Sequence, residues 1–174
     1  MSSVMKKFFA GLALAATTSL PVTAQAADAE RLAGVARRGT DVMPFDIKAT
    51  THLFTKTDRG GIQRVVTRNS SDAVQVELVR KHLHAIQAQF LKGDFSGPSH
   101  IHGQDMPGLA QLNAAKAGEI KMTYRDVPAG AQVTYSTQLP ELVAALHAWF
   151  DAQLADHGSD AMAGHHHPGA HRAN

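Results

Sequence analysis

The sequence predicts an α+β fold in which two ββα units form one four-stranded antiparallel sheet, with both long helices packed on one face. Two observations lead to this prediction. Alternating apolar residues flank a turn sequence twice, and each of these hairpin patterns is followed by a stretch of helical periodicity. The two halves also share short matching segments, GGIQRVVT with AGAQVTYS and LHAIQAQF with LHAWFDAQL. Such a two-layer sandwich buries the apolar faces of both hairpins, and a mixed sheet with the hairpins at opposite ends is the alternative.

The first 26 residues have the pattern of a cleaved export signal. Lys6 and Lys7 precede an apolar run from residue 8 to residue 20, and the segment AQA that ends at Ala26 supplies the small residues of a cleavage site. The run is shorter than the roughly 20 apolar residues that a membrane-spanning helix needs. We therefore expect a mature chain that begins at Ala27 and is periplasmic or secreted.

The composition excludes several classes of function. Without Lys6 and Lys7 the chain carries 15 basic and 15 acidic residues, so it lacks the basic surplus of proteins that bind nucleic acid. Cysteine is absent, which excludes disulfide bonds and thiol catalysis. Histidine is abundant, with 11 residues that all follow the predicted leader. Because imidazole titrates near neutral pH and is a common metal ligand, histidine is the residue type that most readily suggests a function.

The first half of the mature chain is predicted to form a helix, a hairpin and a second helix. Residues 27–39 have a helix-forming composition that ends at a glycine. Residues 49–57 alternate in polarity, the turn sequence DRGG follows, and residues 62–68 return as the second strand. The segment NSSD then offers several helix caps before a helical pattern that ends at Leu91.

The second half begins with a central loop, residues 93–109, which is rich in glycine and proline. Asp105 can cap a short helix over residues 106–116. Residues 119–125 and 132–137 alternate in polarity on either side of the turn sequence DVPAG, which predicts the second hairpin.

The last predicted helix begins at Pro140 and ends near Gly158. We expect a single α+β domain over residues 27–161. The segment that follows, residues 162–174, has little apolar content and is predicted to be a disordered, histidine-rich tail.

Seven histidines are the candidate metal ligands. His100 and His102 form an H-x-H pair in the central loop, and side chains two apart on extended backbone point the same way, so both imidazoles could reach one ion. A polar loop whose histidines bond to nearby backbone is the alternative. The C-terminal histidines form a tract of the kind that chelates copper, nickel or zinc. The full set is His100, His102, His157, His165, His166, His167 and His171.

Other histidines suggest a second arrangement. His82 lies within the apolar row of its helix, whereas His84 is turned about 200° away and should be solvated. His52 lies on the same strand face as an apolar residue. A buried pair of His52 and His82 that met His102 would form a site, although a lone histidine in an apolar row is usually an ordinary core residue.

Four segments carry a resemblance to known proteins: MPFDIKATTHLFTKT, GDFSGPSHIHGQDMPGL, YRDVPAGAQVTY and ALHAWFDAQLADHGSDA. Over most of the mature chain, the sequence resembles a family of small exported bacterial proteins whose function is not settled. This resemblance implies export and a compact domain. Some members carry the label aspartate carbamoyltransferase, which the residues do not support, because the chain lacks that enzyme family's Ser-Thr-Arg-Thr type phosphate loop, paired Rossmann-like domains and far greater length.

The leading hypothesis is an exported periplasmic metal-binding protein that buffers or carries copper, nickel or zinc. The alternative is a binding or interaction module that takes a small ligand and no metal. An enzyme that uses His102 or His147 as general base is the third hypothesis, although the sequence has no nucleophile or phosphate-loop motif. The expected partner is a metal ion or a small ligand, not a nucleic acid or a membrane.

Overall fold

The computed structural model describes residues 22–165, with side chains from residue 28 onward. Most of the predicted leader, and the tail residues His166, His167 and His171, lie outside this range. In the described range no helix combines the length and the apolar character needed to cross a bilayer. In chain order the elements are α1 (Val22–Val42), β1 (Thr50–Thr57), β2 (Gly60–Thr67), α2 (Ala73–Phe90), α3 (Ser96–His102), α4 (Leu109–Ala114), β3 (Lys121–Val127), β4 (Gly130–Ser136), α5 (Pro140–His157) and β5 (Ala161–Ala163).

The two hairpins join through their second strands. β1 pairs with β2, β3 pairs with β4, and β2 pairs antiparallel with β4, with Val65 opposite Ala131. β5 lies beside β1 and runs parallel to it, so the order across the sheet is β3-β4-β2-β1-β5. The α+β class is confirmed. The predicted sheet of four antiparallel strands is wrong, because a fifth, parallel strand occupies the outer edge.

The fifth strand extends the ordered chain beyond the predicted end of the domain at Ala161. Its residue pairs include Leu53 with Met162 and Phe54 with Ala163, and the Gly164 N–H donates to the Phe54 carbonyl at 2.9 Å. Backbone groups at the free edge of β1 need hydrogen-bond partners, and this short segment supplies them. Met162 and Ala163 therefore belong to the sheet and not to the tail.

The helices α2 and α5 pack on one face of the sheet. From α5, the rings of Trp149 and Phe150 lie 5.8 and 5.9 Å from the ring of Tyr135 in β4, and Phe150 lies 5.1 Å from Phe54 in β1. From α2, Val79 is fully buried in the same core. Burial of one large apolar side chain contributes roughly 1.5–3 kcal/mol, so this aromatic cluster is a major part of the stability.

The first helix is longer than the sequence predicted. It continues through Gly39 to Val42, and the Met43 N–H donates to the Gly39 carbonyl at 2.8 Å. A side chain at position 39 would press on Met43 and Ile47, so this glycine serves close packing and does not end the helix. The start of α2 agrees with the predicted caps, since the Asp72 side chain accepts from the N–H of the third helical residue.

The short helix α4 begins later than predicted. Its N-cap is Gly108, with a φ of 79°, so Asp105 does not cap it and is exposed. A Cβ atom at position 108 would meet the carbonyl oxygen of Ala145 in α5. Glycine is required here because it permits both the positive φ and the close approach of the two helices.

We expect the substitution Gly108→Ala to lower the free energy of unfolding by at least about 2 kcal/mol. A positive φ alone costs an L-residue about 1–2 kcal/mol, and the contact with Ala145 adds to that cost. Gly118 is a matched control, because its φ is 88° and nothing lies within 4 Å of a Cβ placed there. Urea unfolding of Gly108→Ala and Gly118→Ala measures both costs, and equal losses would contradict the role given to the helix contact.

Candidate functional site

The helix α3 points His100 and His102, the two histidines of the central loop, to different sides. Pro98 stands in its first turn, where a missing N–H costs nothing, so the segment is helical and not extended as predicted. At about 100° per residue, side chains two apart on a helix diverge. The His102 side chain is 2% exposed, whereas His100 is exposed and places Nε2 3.2 Å from Asp41 Oδ2. In this structure the two imidazoles therefore face different surroundings, and a shared ion between them stays a prediction.

Four histidines from four elements line one pocket of about 50 Å³: His52 of β1, His82 of α2, His102 of α3 and His157 of α5. The rings of His52 and His157 are stacked, with centroids 4.8 Å apart and planes inclined by 12°. The rings of His102 and His157 are 5.3 Å apart and inclined by 70°. His52, His82 and His102, which the sequence suggested as a second possible histidine arrangement, thus line the same pocket together with His157.

The element that carries each histidine explains its position. His52 lies on the helix-covered face of β1, two residues before Phe54, and the two rings are 6.4 Å apart. His82 packs with its ring edge against Phe45, at 5.4 Å. His157 is the last residue of α5 and continues the buried side of that helix. Strand alternation and helix periodicity therefore aim these side chains at the same space.

Hydrogen bonds fix the orientation of the His102 ring. Its Nδ1 lies 2.8 Å from Asp156 Oδ2, and the other carboxylate oxygen of Asp156 pairs with Arg31 of α1. Since a carboxylate only accepts, His102 Nδ1 carries the proton and Nε2 keeps a free lone pair. A carboxylate on the far nitrogen of an imidazole is the arrangement found around metal-binding histidines.

His157 and His52 also each have a ring nitrogen that is free to bind a ligand. His157 Nε2 donates to Gln153 Oε1 at 3.1 Å, which leaves a lone pair on Nδ1. His52 Nδ1 is buried and has no hydrogen-bond partner among the described residues. A buried polar atom without a partner costs about 1–3 kcal/mol, so this is a costly feature for a purely structural core.

Burial keeps these imidazoles neutral. It lowers the pKa of His52 to about 3, together with smaller effects of the neighbouring His157 and His82, which oppose a second positive charge. Burial likewise lowers the pKa of His82 and of His157 to about 4. The pKa of His102 is also lowered, since burial outweighs the opposing effect of Asp156. Neutral imidazole is the form that binds metal ions.

The present ring positions do not form a complete metal site. Within residues 28–165 no group of three or more His, Cys, Asp or Glu side chains is arranged to hold an ion. The stacking of His52 on His157 accounts for this, because imidazole lone pairs lie in the ring plane and parallel rings direct them past each other. Rotation of one ring about its Cβ–Cγ bond is needed before both can contact one ion.

The surroundings of the candidate bases give no support to the enzyme hypothesis. The pocket that contains His102 is lined by apolar, amide, imidazole and indole groups, and no serine, threonine, cysteine or lysine lies among its lining residues. His147 Nε2 donates to the carbonyls of Thr57 and Gly60, at 3.0 and 2.9 Å, and acts as a brace between α5 and the hairpin. Among the described residues, neither histidine is hydrogen-bonded to a nucleophilic side chain.

Several residues of this site were not predicted. Asp156 and His102 are 54 positions apart, so no short motif could reveal their contact. Gln153 and His157 stand at i and i+4 on one helix, a spacing that does predict contact and could have been recognised. Of the candidate tail ligands, His165 is exposed and does not line the histidine pocket. His166, His167 and His171 lie outside the described residues.

No protein-family model matches the chain, and comparisons with curated proteins and with solved structures find no match either. The resemblance to a family of small exported bacterial proteins therefore stays a prediction. The functional conclusion rests on the histidine pocket.

We expect the metal-free protein to lose stability as the pH falls below about 6.5. Unfolded histidines take up protons near 6.5, whereas His52, His82 and His157 stay neutral in the folded protein down to about pH 4. Between these values the unfolded state binds more protons, so the free energy of unfolding decreases as the pH falls. As the pH falls through this range, each group lowers the free energy of unfolding by on the order of 2–3 kcal/mol, and urea unfolding measures the loss.

Two variants on α2 provide the control for this pH dependence. His82→Leu removes one of the buried groups and should flatten the dependence, whereas His84→Gln changes an exposed histidine and should leave it intact. The same pH dependence in both variants would contradict the assignment of the effect to the buried rings.

Proposed function

We propose that the chain is an exported protein that binds a transition-metal ion through His52, His102 and His157, and that it buffers or carries copper, nickel or zinc outside the cytoplasm. The observation that carries this proposal is the contact of three neutral imidazoles, from three elements far apart in the chain, in one pocket. The leader pattern of residues 1–26 supports export.

The burial of imidazole nitrogens without partners costs free energy, which supports the proposal that a ligand binds to them. Apolar side chains would fill the same space without a cost for desolvation, whereas His52 Nδ1 is buried without a partner among the described residues. A bound ion would convert the free lone pairs into bonds. Asp156 supports the same function, because it holds the His102 ring in place and increases the basicity of the nitrogen that faces the pocket.

The two sets of candidate ligands would have different tasks. The tail histidines belong to a composition that binds metal ions with loose geometry, and we assign them the capture of ions from solution. The buried group is assigned tight, stoichiometric binding. His100 is assigned to neither set, since its Nε2 is engaged with Asp41 on the surface.

A matched pair of variants in α3 tests this function in the full mature chain with the four tail histidines replaced by asparagine. The parent protein should retain one equivalent of metal after dialysis, and the bound metal should raise its melting temperature. His102→Ala should lose this binding, whereas His100→Ala, two residues away, should keep it.

Metal content and calorimetric titration measure the outcome, with circular dichroism as the check that both variants are folded. Equal binding by His100→Ala and His102→Ala would reject the buried site, and metal binding that disappears with the tail histidines would restrict the activity to the tail.

The binding of a small neutral molecule is the second candidate function, and one observation favours it. Trp149 Nε1 is a buried donor without a hydrogen-bond partner in the described part of the chain, and a metal ion cannot accept its proton. The pocket walls near it include Leu83, Ile86 and Phe90. A small molecule with an acceptor oxygen would satisfy both the donor and the apolar walls.

Native mass spectrometry of the protein purified from cells distinguishes the two candidates. A stoichiometric adduct with the mass of an organic molecule would favour the second function. An adduct with the mass of copper, nickel or zinc, or no adduct, would count against it.

A further inference from the structure

One thioether side chain lines the same pocket as the histidines. Met43 follows directly after α1, is 7% exposed, and lies on the wall formed where that helix ends. Met43 and His157 also both line a neighbouring cavity of about 190 Å³ beneath α1. Thioether sulfur is a soft ligand, and together with imidazole it favours copper in the cuprous state over harder divalent ions.

All other ligand atoms at the pocket are uncharged. No aspartate or glutamate is among the lining residues of this pocket. The two carboxylates that act on His157 from outside it are already paired, Asp156 with Arg31 and Asp160 with Lys48 and Arg68. At His102, the positive charges of Arg38 and Arg31 oppose part of the favourable effect that Asp156 has on a cation. An ion in this pocket therefore gains bonds from neutral donors but little neutralisation of its charge.

The absence of charged ligands favours a monovalent ion. The cost of moving an ion from water into a medium of low polarity grows with the square of its charge, so a divalent ion pays about four times as much as a monovalent ion of similar size. Zinc sites usually offset this cost with thiolates, carboxylates or a full set of four ligands. Such a set is not assembled within residues 28–165.

The arrangement of the histidine rings also favours a monovalent copper ion over zinc. Zinc needs four ligands in tetrahedral positions, whereas a cuprous ion accepts low coordination numbers and soft donors. The perpendicular rings of His102 and His157, together with Met43, could supply such a set with less rearrangement than a tetrahedral site requires.

From these features we propose that the buried site selects Cu(I), with Met43 as the ligand that determines the selectivity. This inference rests on the proposed metal-binding function and adds the identity and oxidation state of the ion. Cu(I) is bound as an ion, without a redox step at the site.

The test is an anaerobic titration of the full mature chain, with its four tail histidines replaced by asparagine. Cu(I) is supplied as its bicinchoninate complex, and Zn²⁺ is supplied with a chromophoric zinc chelator. We expect Cu(I) to bind at least tenfold more tightly than Zn²⁺. Met43→Leu should weaken Cu(I) binding at least tenfold and leave Zn²⁺ binding unchanged. Met122→Leu is the matched control, because Met122 is as buried as Met43, lies outside the pocket and lines no cavity with a histidine, so it should leave both affinities unchanged.

Each outcome decides one of the two proposals. Binding of Zn²⁺ as tight as that of Cu(I), or an unchanged Cu(I) affinity in Met43→Leu, overturns the selectivity but leaves the metal-binding function standing. Binding of neither ion overturns both. Should Met43→Leu fail to fold, X-ray absorption at the copper edge of the parent protein replaces it: a sulfur neighbour supports Met43 as ligand, and a shell of nitrogen alone rejects it.

Discussion

The close approach of α5 to the first hairpin is the contact on which the rest of the structure depends. Gly61 has no side chain, and a Cβ atom at that position would run into the ring of Phe150. The ring can therefore lie against the strand, between Phe54 and Tyr135. Because a helix is stiff, this contact also fixes the height of the last turn of α5 above the sheet, and that turn carries His157. The position of the histidine pocket is thus a consequence of an aromatic contact two turns away.

The elements that could be predicted are those with local signals. The hairpins have alternating polarity around glycine-containing turns, and α2 and α5 have helical periodicity with recognisable first residues. β5 could not be predicted, because three residues of the sequence AMA carry no period and the strand exists only where the edge of β1 is free. The helix α3 was missed since glycine and proline suggested irregular backbone, although Pro98 stands where a helix tolerates it.

The site could be predicted only in part. The strand face that carries His52 and the apolar helix row that contains His82 predicted that both side chains point inward. They did not predict that both line one pocket with His102. That convergence depends on the helical backbone of α3, which points His100 and His102 to different sides and turns His102 inward. The contact of His102 with Asp156 depends on the angle between α3 and α5, and no property of the sequence at either position encodes that angle.

The short strand β5 has a consequence for the association state of the protein. β1, with the sequence TTHLFTKT, is rich in residues that favour sheet structure, and β5 covers its outer edge from His52 to Phe54. An open edge of this kind is a template for pairing with another chain. Loss of residues 161–163, for example by proteolysis just before β5, would thus turn β1 into an exposed edge strand that can pair with another chain. The residues that precede the histidine-rich tail protect the sheet against self-assembly.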